Sequence, residues 1–199
     1  SLPIAAFAIT GYSSVLLWRN SVNRCNSAIQ SNYNLLYHRN VKVLDVFLTR
    51  IILEMAGATA SFIVLSLLFI SVGMISPPVD MIQVLFGWLM LAWFGLALAL
   101  LIGAATAYSE IVERLWGPTA YLLFPLSGAA FMVDWLPQKA QEIILLLPMV
   151  HGVEMIREGY FGNIVHTHYD VSYMAMCCLV LSLLGLFLVR DAGLRVEQK

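Results

Sequence analysis

A long apolar segment without any charge constrains this sequence most. Residues 81–107 contain no Asp, Glu, Lys, Arg or His. A helix needs about 20 mainly apolar residues to cross the hydrocarbon core of a bilayer, and this segment exceeds that length. The sequence therefore predicts a membrane-spanning helix here.

The composition extends this prediction to most of the chain. The sequence is 60% hydrophobic and 12% charged, whereas soluble domains carry about 25% charged residues. We therefore expect lipid to contact most of the surface. The net charge of −1 gives no indication of nucleic-acid binding. Cys25, Cys177 and Cys178 have neither metal-site spacing nor the pattern of a disulfide framework.

Four further segments are apolar enough to predict spans, which makes five in this sequence. They are residues 2–18 with the turns that follow, 51–75, 115–133 and 171–189. Pro118 and Pro125 should kink the fourth span, which is tolerated where neighbouring groups satisfy the freed carbonyls. We expect an all-α polytopic bundle that forms one domain over residues 1–199, because no internal repeat is present.

The placement of Lys and Arg predicts the orientation of these spans. Nine of the eleven basic residues fall on one side, and only Lys139 and Arg157 fall on the other. Residues 31–50, residues 108–116 and the C-terminus are therefore predicted to be cytoplasmic, and residues 134–170 periplasmic. Five spans with a cytoplasmic C-terminus place Ser1 outside, so we expect one more span before it.

The loop at residues 31–50 is basic and amphipathic. No glycine-rich phosphate loop is present, so energy-driven transport would require a separate subunit that binds ATP. The loop is the natural docking element for that subunit, although it equally suits a loop that lies on anionic lipid. The predicted contact residues are Asn34, Leu35, Leu36, Tyr37, His38 and Arg39.

Two helical stripes predict contacts between spans. Polar residues recur at three- and four-residue steps between positions 13 and 30, which places them on one face of a helix. Either Arg19 and Arg24 reach to headgroups at the inner interface, or this face lines a polar substrate path. Gly95 and Gly103 belong to a ridge of small residues that favours close packing within the chain over a dimer contact.

Residues 134–170 contain the clustered functional groups. Residues 143–150 are apolar but too short to cross a bilayer, which indicates a re-entrant or interfacial helix pair. His151, Glu154 and Arg157 are either solvated charges on an interfacial helix or a hydrogen-bond network that fixes a gate helix. A metal or hydrolytic site that uses His166 and His168 as well has no supporting motif.

Four segments together carry a family resemblance. Residues 29–50, 108–118, 147–162 and 173–190 resemble the coupling helix, cytoplasmic elbow, periplasmic segment and last helix of the type-two class of ABC exporter permeases. The likeness is greatest to inner-membrane permeases of capsular polysaccharide export systems. Leu147 departs from the pattern, since a polar Asn is expected before Pro148.

The resemblance implies a non-enzymatic subunit that works as a homodimer with two ATPase subunits. These would bind the ATP and Mg, so no cofactor is expected in this chain. It implies six spans in the full subunit, with an interface helix and a first span before Ser1. The cargo would be lipid-linked acidic polysaccharide, passed to periplasmic and outer-membrane export proteins across a channel between two permeases.

Site residues follow from the resemblance together with periodicity and charge. A carbohydrate path needs hydrogen-bonding groups and aromatic faces. The predicted path residues are Arg19, Asn20, Asn23, Arg24, Ser27, Tyr121, Phe124, Phe131 and Trp135. The predicted periplasmic gate residues are Pro148, His151, Glu154 and Arg157.

Three alternatives remain open at the level of sequence. The same permease class exports other cargo, such as O-antigen, teichoic acid or drugs. A membrane-embedded metal-dependent enzyme would use His151, Glu154, His166 and His168. A non-transporting assembly scaffold would not depend on an ATPase.

The predicted orientation can be tested by labelling single cysteines in a variant without the native thiols. We expect His38→Cys to react with a membrane-impermeant maleimide only from the cytoplasmic side, and Lys139→Cys only from the periplasmic side. Labelling of position 38 from the external medium alone would contradict the orientation.

Overall fold

The computed structural model describes residues 3–32 and 42–197, with side chains to residue 194. These residues form α-helices joined by short turns, and they include no β-strand. The helices are α1 (Ile4–Asn26), α2 (Ala28–Ser31), α3 (Val43–Ser71), α4 (Met81–Ala105), α5 (Glu110–Leu126), α6 (Gln138–Ile144), α7 (Pro148–Phe161) and α8 (Val171–Glu197), with 3-10 turns at Val133–Trp135 and Gly162–Ile164. The predicted all-α architecture is confirmed.

Helix α4 lies at the centre and packs against α1, α7 and α8. A methyl group on Gly95 would lie 2.9 Å from the Cα of Trp18, and one on Gly103 would lie 3.0 Å from the Cβ of Cys25. The absent side chains therefore let the backbones of α1 and α4 approach closely. The predicted packing within the chain is confirmed at these two glycines.

Helix α7 packs antiparallel along the first half of α4. Ile156 lies against Gly87, and Gly152 lies against Leu91, so the two helices run in opposite directions. A methyl group on Gly159 would lie 2.6 Å from the backbone nitrogen of Val84. This pairing places α7 beside the N-terminal half of the longest charge-free segment.

Local chemistry explains where several helices begin and end. The Asp80 carboxylate caps α4 by accepting hydrogen bonds from the backbone N–H groups of Ile82 and Gln83. Pro148 occupies the first turn of α7, where its missing N–H is not needed. Gly162 ends α7 with φ of +59°, a conformation that favours glycine.

Among the described residues, three helices are long and apolar enough to span a membrane. These segments are Val43–Ser71, Met81–Ala105 and Val171–Leu194. Helix α1 carries the polar stripe with Arg19 and Arg24, and α5 begins with a charged turn, which lowers their apolar character. The short helices predicted around residues 143–150 are present as α6 and α7, and their position relative to a bilayer remains a prediction.

We expect Gly159→Ala to destabilise the protein, because the new methyl group would meet the backbone of α4 and force the helices apart. Overpacking of this kind costs about 1–3 kcal/mol. Gly57→Ala is the matched control, since nothing lies within 4 Å of the position its methyl group would occupy. Alanine favours helix over glycine, so this control should be neutral or slightly stabilising.

The thermal unfolding midpoint of the purified chain in detergent measures both effects. Equal midpoints for the two variants would contradict the close contact at Gly159.

Candidate functional site

Helix α7 is buried on almost every face, including its ionisable side chains. His151 is 3% exposed, and Glu154 and Arg157 are both 0% exposed. The interpretation of these groups as solvated charges is therefore wrong. The alternative, a hydrogen-bond network around α7, agrees with the structure.

Arg157 connects α7 to the segment between α5 and α6. Its guanidinium donates hydrogen bonds to the backbone carbonyls of Ala129, at 2.7 Å, and Phe131. The Phe7 ring of α1 lies beneath the guanidinium, and the ring centroid is 4.0 Å from Cζ of Arg157. A methyl group on Gly11 of α1 would lie only 2.2 Å from the Ala129 carbonyl oxygen. One arginine thus holds an irregular loop and α1 against α7.

Glu154 balances this buried cation and binds two backbone N–H groups. Its Oε1 lies 3.8 Å from Nη1 of Arg157, and its carboxylate accepts hydrogen bonds from the N–H of Val133, at 3.4 Å, and of His168, at 3.3 Å. Burial raises the pKa of Glu154 and lowers the pKa of Arg157 to about 10. Arg157 therefore remains a cation at neutral pH, and removing either partner would leave a buried charge uncompensated, at about 3–5 kcal/mol.

His151 joins the end of α6 to the start of α8. Its Nδ1 accepts a hydrogen bond from the Asp170 N–H at 2.9 Å, so the proton must lie on Nε2, which donates to the Leu145 carbonyl at 2.7 Å. The Tyr173 ring packs against the imidazole, and its hydroxyl donates to the Leu146 carbonyl at 2.8 Å. These bonds require a neutral imidazole, and burial lowers the pKa of His151 accordingly.

The other end of α7 carries polar contacts that the sequence analysis missed. The Gln83 amide donates to Glu158, at 3.1 Å, and to the Tyr169 hydroxyl, at 2.9 Å, and Tyr169 itself donates to Glu158. The Tyr160 hydroxyl donates to the Ser76 carbonyl at 2.9 Å. A glutamine near the start of an otherwise apolar span was the available signal for this cluster.

Several predicted path residues lie together between α1 and α5. The Trp116 indole donates to Oδ1 of Asn23 at 2.7 Å, and the Arg19 guanidinium lies 5.6 Å from the centre of the Phe124 ring. Tyr12 packs edge-on against Phe124. The structure therefore brings Arg19, Asn23 and Phe124 to one face of the molecule.

The other predicted path residues are more dispersed. Trp135 stacks on Phe7 at a centroid distance of 5.4 Å, and Phe131 supplies a carbonyl to the Arg157 network. Tyr121 is 77% exposed. Asn20, on the same helix as Arg19, and Ser27, directly after the end of that helix, are partly buried.

Arg24 differs from the other path residues because it has a carboxylate partner. Its Nε lies 2.7 Å from Oε1 of Glu54, and its backbone carbonyl accepts a hydrogen bond from Arg50 at 2.8 Å. These contacts tie the end of α1 to α3. The predicted ATPase contacts at residues 34–39 lie outside the described residues.

The histidines between residues 134 and 170 do not converge on one site. His168 approaches Asp134 at 3.4 Å, whereas His151 binds backbone groups on both of its nitrogens. Within residues 3–32 and 42–194 no three His, Cys, Asp or Glu side chains are close enough together to hold a metal ion. The described residues therefore offer no support for the alternative of a metal-dependent enzyme.

We expect the contribution of His151 to stability to depend on pH. Because burial lowers its pKa below 6.5 in the folded protein, the unfolded chain takes up the proton more readily. The contribution is thus complete above about pH 6.5 and declines as the pH falls below that value. The stability difference between wild type and His151→Phe, about 1–3 kcal/mol at neutral pH, should narrow in acid.

Thermal unfolding of both proteins across this pH range provides the measurement. Subtracting the variant removes the opposing titration of Glu154, and His166→Phe, which removes an exposed imidazole outside this network, should follow the wild-type profile. A difference that stays constant with pH would argue against the neutral His151 contact.

Comparison with known proteins places this geometry in a family. The model of the ABC-2 type transporter family matches residues 5–161, from α1 to the end of α7. The chain is 47% identical to the capsule polysaccharide export inner-membrane protein CtrC of Neisseria meningitidis serogroup B, over 99% of this chain and 74% of that protein. It is 41% identical to the capsule polysaccharide export inner-membrane protein BexB of Haemophilus influenzae, with the same coverage. It is 25% identical to the polysialic acid transport protein KpsM of Escherichia coli, over 96% of this chain and 73% of that protein. This chain belongs to the ABC-2 type transporter family.

Proposed function

We propose that this chain is the transmembrane subunit of an ATP-driven exporter that moves lipid-linked capsular polysaccharide across the bacterial inner membrane. The observation that carries the proposal is 47% identity, over 99% of the chain, to a capsule polysaccharide export inner-membrane protein. A more distant relative is named for the transport of polysialic acid, which is an anionic polymer. We therefore favour an acidic polysaccharide over O-antigen, teichoic acid or a drug.

In this proposal the sequence contributes five spans, and the full subunit has six. Helices α1 and α5 supplement the three most apolar helices, and α6 and α7 form a re-entrant pair on the periplasmic side. The antiparallel packing of α7 along the first half of α4 supports this arrangement, because α4 itself is long enough to span. Residues 31–50, residues 108–116 and the C-terminus face the cytoplasm, and residues 134–170 face the periplasm.

The transport path lies between two copies of the chain. The side chains of Arg19, Asn23 and Phe124 combine charge, hydrogen-bonding groups and an aromatic face, which together suit a charged sugar polymer. The network around α7 joins the loop after α5, the end of α6 and the start of α8 into one unit. Such a unit moves as a whole, so it serves as the periplasmic gate that opens towards further export proteins.

Two copies of a separate ATPase subunit supply the energy, and they bind the ATP and Mg. Nucleotide binding closes the ATPase pair and displaces the cytoplasmic loop at residues 31–50. The helices on either side of that loop, α1 and α3, are tied to each other by the Arg24–Glu54 ion pair. Displacement of the loop therefore moves both helices together and shifts the balance between inward- and outward-open states.

We expect Leu36→Asp to separate this subunit from its ATPase. A charge in the apolar anchor of the docking loop should lower the amount of copurified ATPase about tenfold or more, the effect of an anchor worth at least about 1.4 kcal/mol. Export of polysaccharide to the cell surface should fall with it. Ser31→Asp introduces the same charge at the first residue of the loop, which is exposed and lies outside the predicted contacts at residues 34–39, and should retain the partner.

Copurification of the ATPase at a one-to-one ratio with the wild-type chain is the primary measurement. If the Leu36→Asp variant retained its ATPase at that ratio, the prediction that this loop binds the ATPase would be wrong.

A further inference from the structure

The contact made by Trp18, the neighbour of Arg19, shows how far along α4 Arg19 lies. The Cα of Trp18 lies 2.9 Å from the position of a Cβ on Gly95. Gly95 lies close to the middle of α4 (Met81–Ala105), a helix long and apolar enough to span a membrane. With α4 crossing the membrane as in the proposed function, the close contact puts the Arg19 backbone near the centre of the apolar layer.

A cation at this depth is costly unless something compensates it, and such residues usually mark substrate or ion paths. In residues 3–32 and 42–194, no carboxylate pairs with Arg19. Its Nε is buried without a hydrogen-bond partner, and its Cζ lies 5.6 Å from the centre of the Phe124 ring.

Two other arginines show what compensation looks like in this chain. The terminal nitrogens of Arg157 have Glu154 and two backbone carbonyls as partners, although its Nε, like that of Arg19, has none. Arg24 pairs with Glu54, and its neighbour Cys25 lies against Gly103, close to the end of α4. Arg24 is therefore balanced and lies near the membrane surface, whereas Arg19 is unbalanced and lies near the middle.

The groups beside Arg19 complete a site for an anion. Tyr12, Arg19 and Asn23 are seven and four residues apart, so they share one face of α1. Oδ1 of Asn23 accepts a hydrogen bond from Trp116, which orients the amide so that its N–H groups remain to donate. Phe124 packs over the guanidinium and limits its orientations, and Tyr12, 52% exposed, adds an aromatic face.

We propose that Arg19, with Asn23 beside it, binds the phosphate group of an anionic lipid-linked cargo near the middle of the membrane. The guanidinium donates in a planar fork that matches phosphate oxygens. Tyr12 and Phe124 offer faces for the adjoining sugar. This inference rests on the proposed export function and assigns the anion selectivity of the path to Arg19 in place of Arg24.

Binding is tested on the purified complex of the chain with its ATPase, in neutral detergent, by thermal unfolding. The probes are dodecyl phosphate, inorganic phosphate and additional dodecyl maltoside, the last being a neutral amphiphile of the same chain length. We expect dodecyl phosphate alone to raise the unfolding midpoint of wild type. Arg19→Lys should keep most of that increase, and Arg19→Gln should lose it.

Arg114→Gln is the matched control, because it removes one positive charge from an exposed arginine on α5. It should respond as wild type does. An increase in Arg19→Gln equal to that of wild type would overturn the site. An equal increase with inorganic phosphate would overturn the assignment to a lipid-linked headgroup.

Cell-surface polysaccharide separates this inference from the proposed function. Arg19→Gln should lower export about tenfold, the equivalent of one lost charge-assisted hydrogen bond, while Arg114→Gln exports normally. A wild-type complex that binds dodecyl phosphate through Arg19 but exports no polysaccharide would uphold the anion site and overturn the proposed function.

Discussion

The helices of this protein are held together where α4 meets its neighbours without intervening side chains. In lipid, apolar side chains gain little by contacting each other, so helix association depends on close packing and on polar bonds between helices. Gly95 and Gly103 bring α1 onto α4, and Gly159 brings α7 onto its first turn. Each contact leaves no room for a methyl group. The positions of Arg19, Arg24 and the α7 network all follow from these contacts.

The buried charges of α7 serve the irregular backbone around them. Between α5 and α6 the chain is not a regular helix, so its carbonyl and N–H groups lack helical partners. Arg157 donates to the carbonyls of Ala129 and Phe131, and Glu154 accepts from the N–H groups of Val133 and His168. Irregular backbone at membrane depth is tolerated only where protein groups satisfy it. The ion pair is therefore a source of donors and acceptors for this segment and for the turn that precedes α8.

Three arginines of this chain differ in the groups that compensate their positive charge. Arg157 is enclosed by carbonyls and a carboxylate, which suits a structural role in the proposed gate. Arg24 ties the helices that flank the loop at residues 31–50, which suits transmission of movement. Among the described residues Arg19 has no carboxylate partner, and the face of the Phe124 ring lies over its guanidinium. A cation without a carboxylate partner is available to a ligand, which agrees with the anion site proposed above.

Most of the architecture was predictable because lipid imposes strong rules on sequence. Length and apolarity predicted spans at residues 51–75, 81–107 and 171–189, and the structure has helices long and apolar enough to span at Val43–Ser71, Met81–Ala105 and Val171–Leu194. The small-residue ridge predicted the packing at Gly95 and Gly103. The fold class and the presence of short helices around residues 143–150 were likewise accessible. These features are local, or depend on a periodicity that a single helix displays.

The sequence by itself determined the helical class, the apolar spans and the candidate residues on α1 and α7. Only the tertiary structure decided which of those residues are buried and what faces them. Helical spacing shows that His151, Glu154 and Arg157 are near one another, but it does not show that other segments enclose them on all sides. Likewise, Arg19 and Arg24 look equivalent in sequence, and they differ because Glu54, a residue distant in the chain, reaches only one of them. Charge compensation depends on contacts between distant segments, which local sequence does not encode.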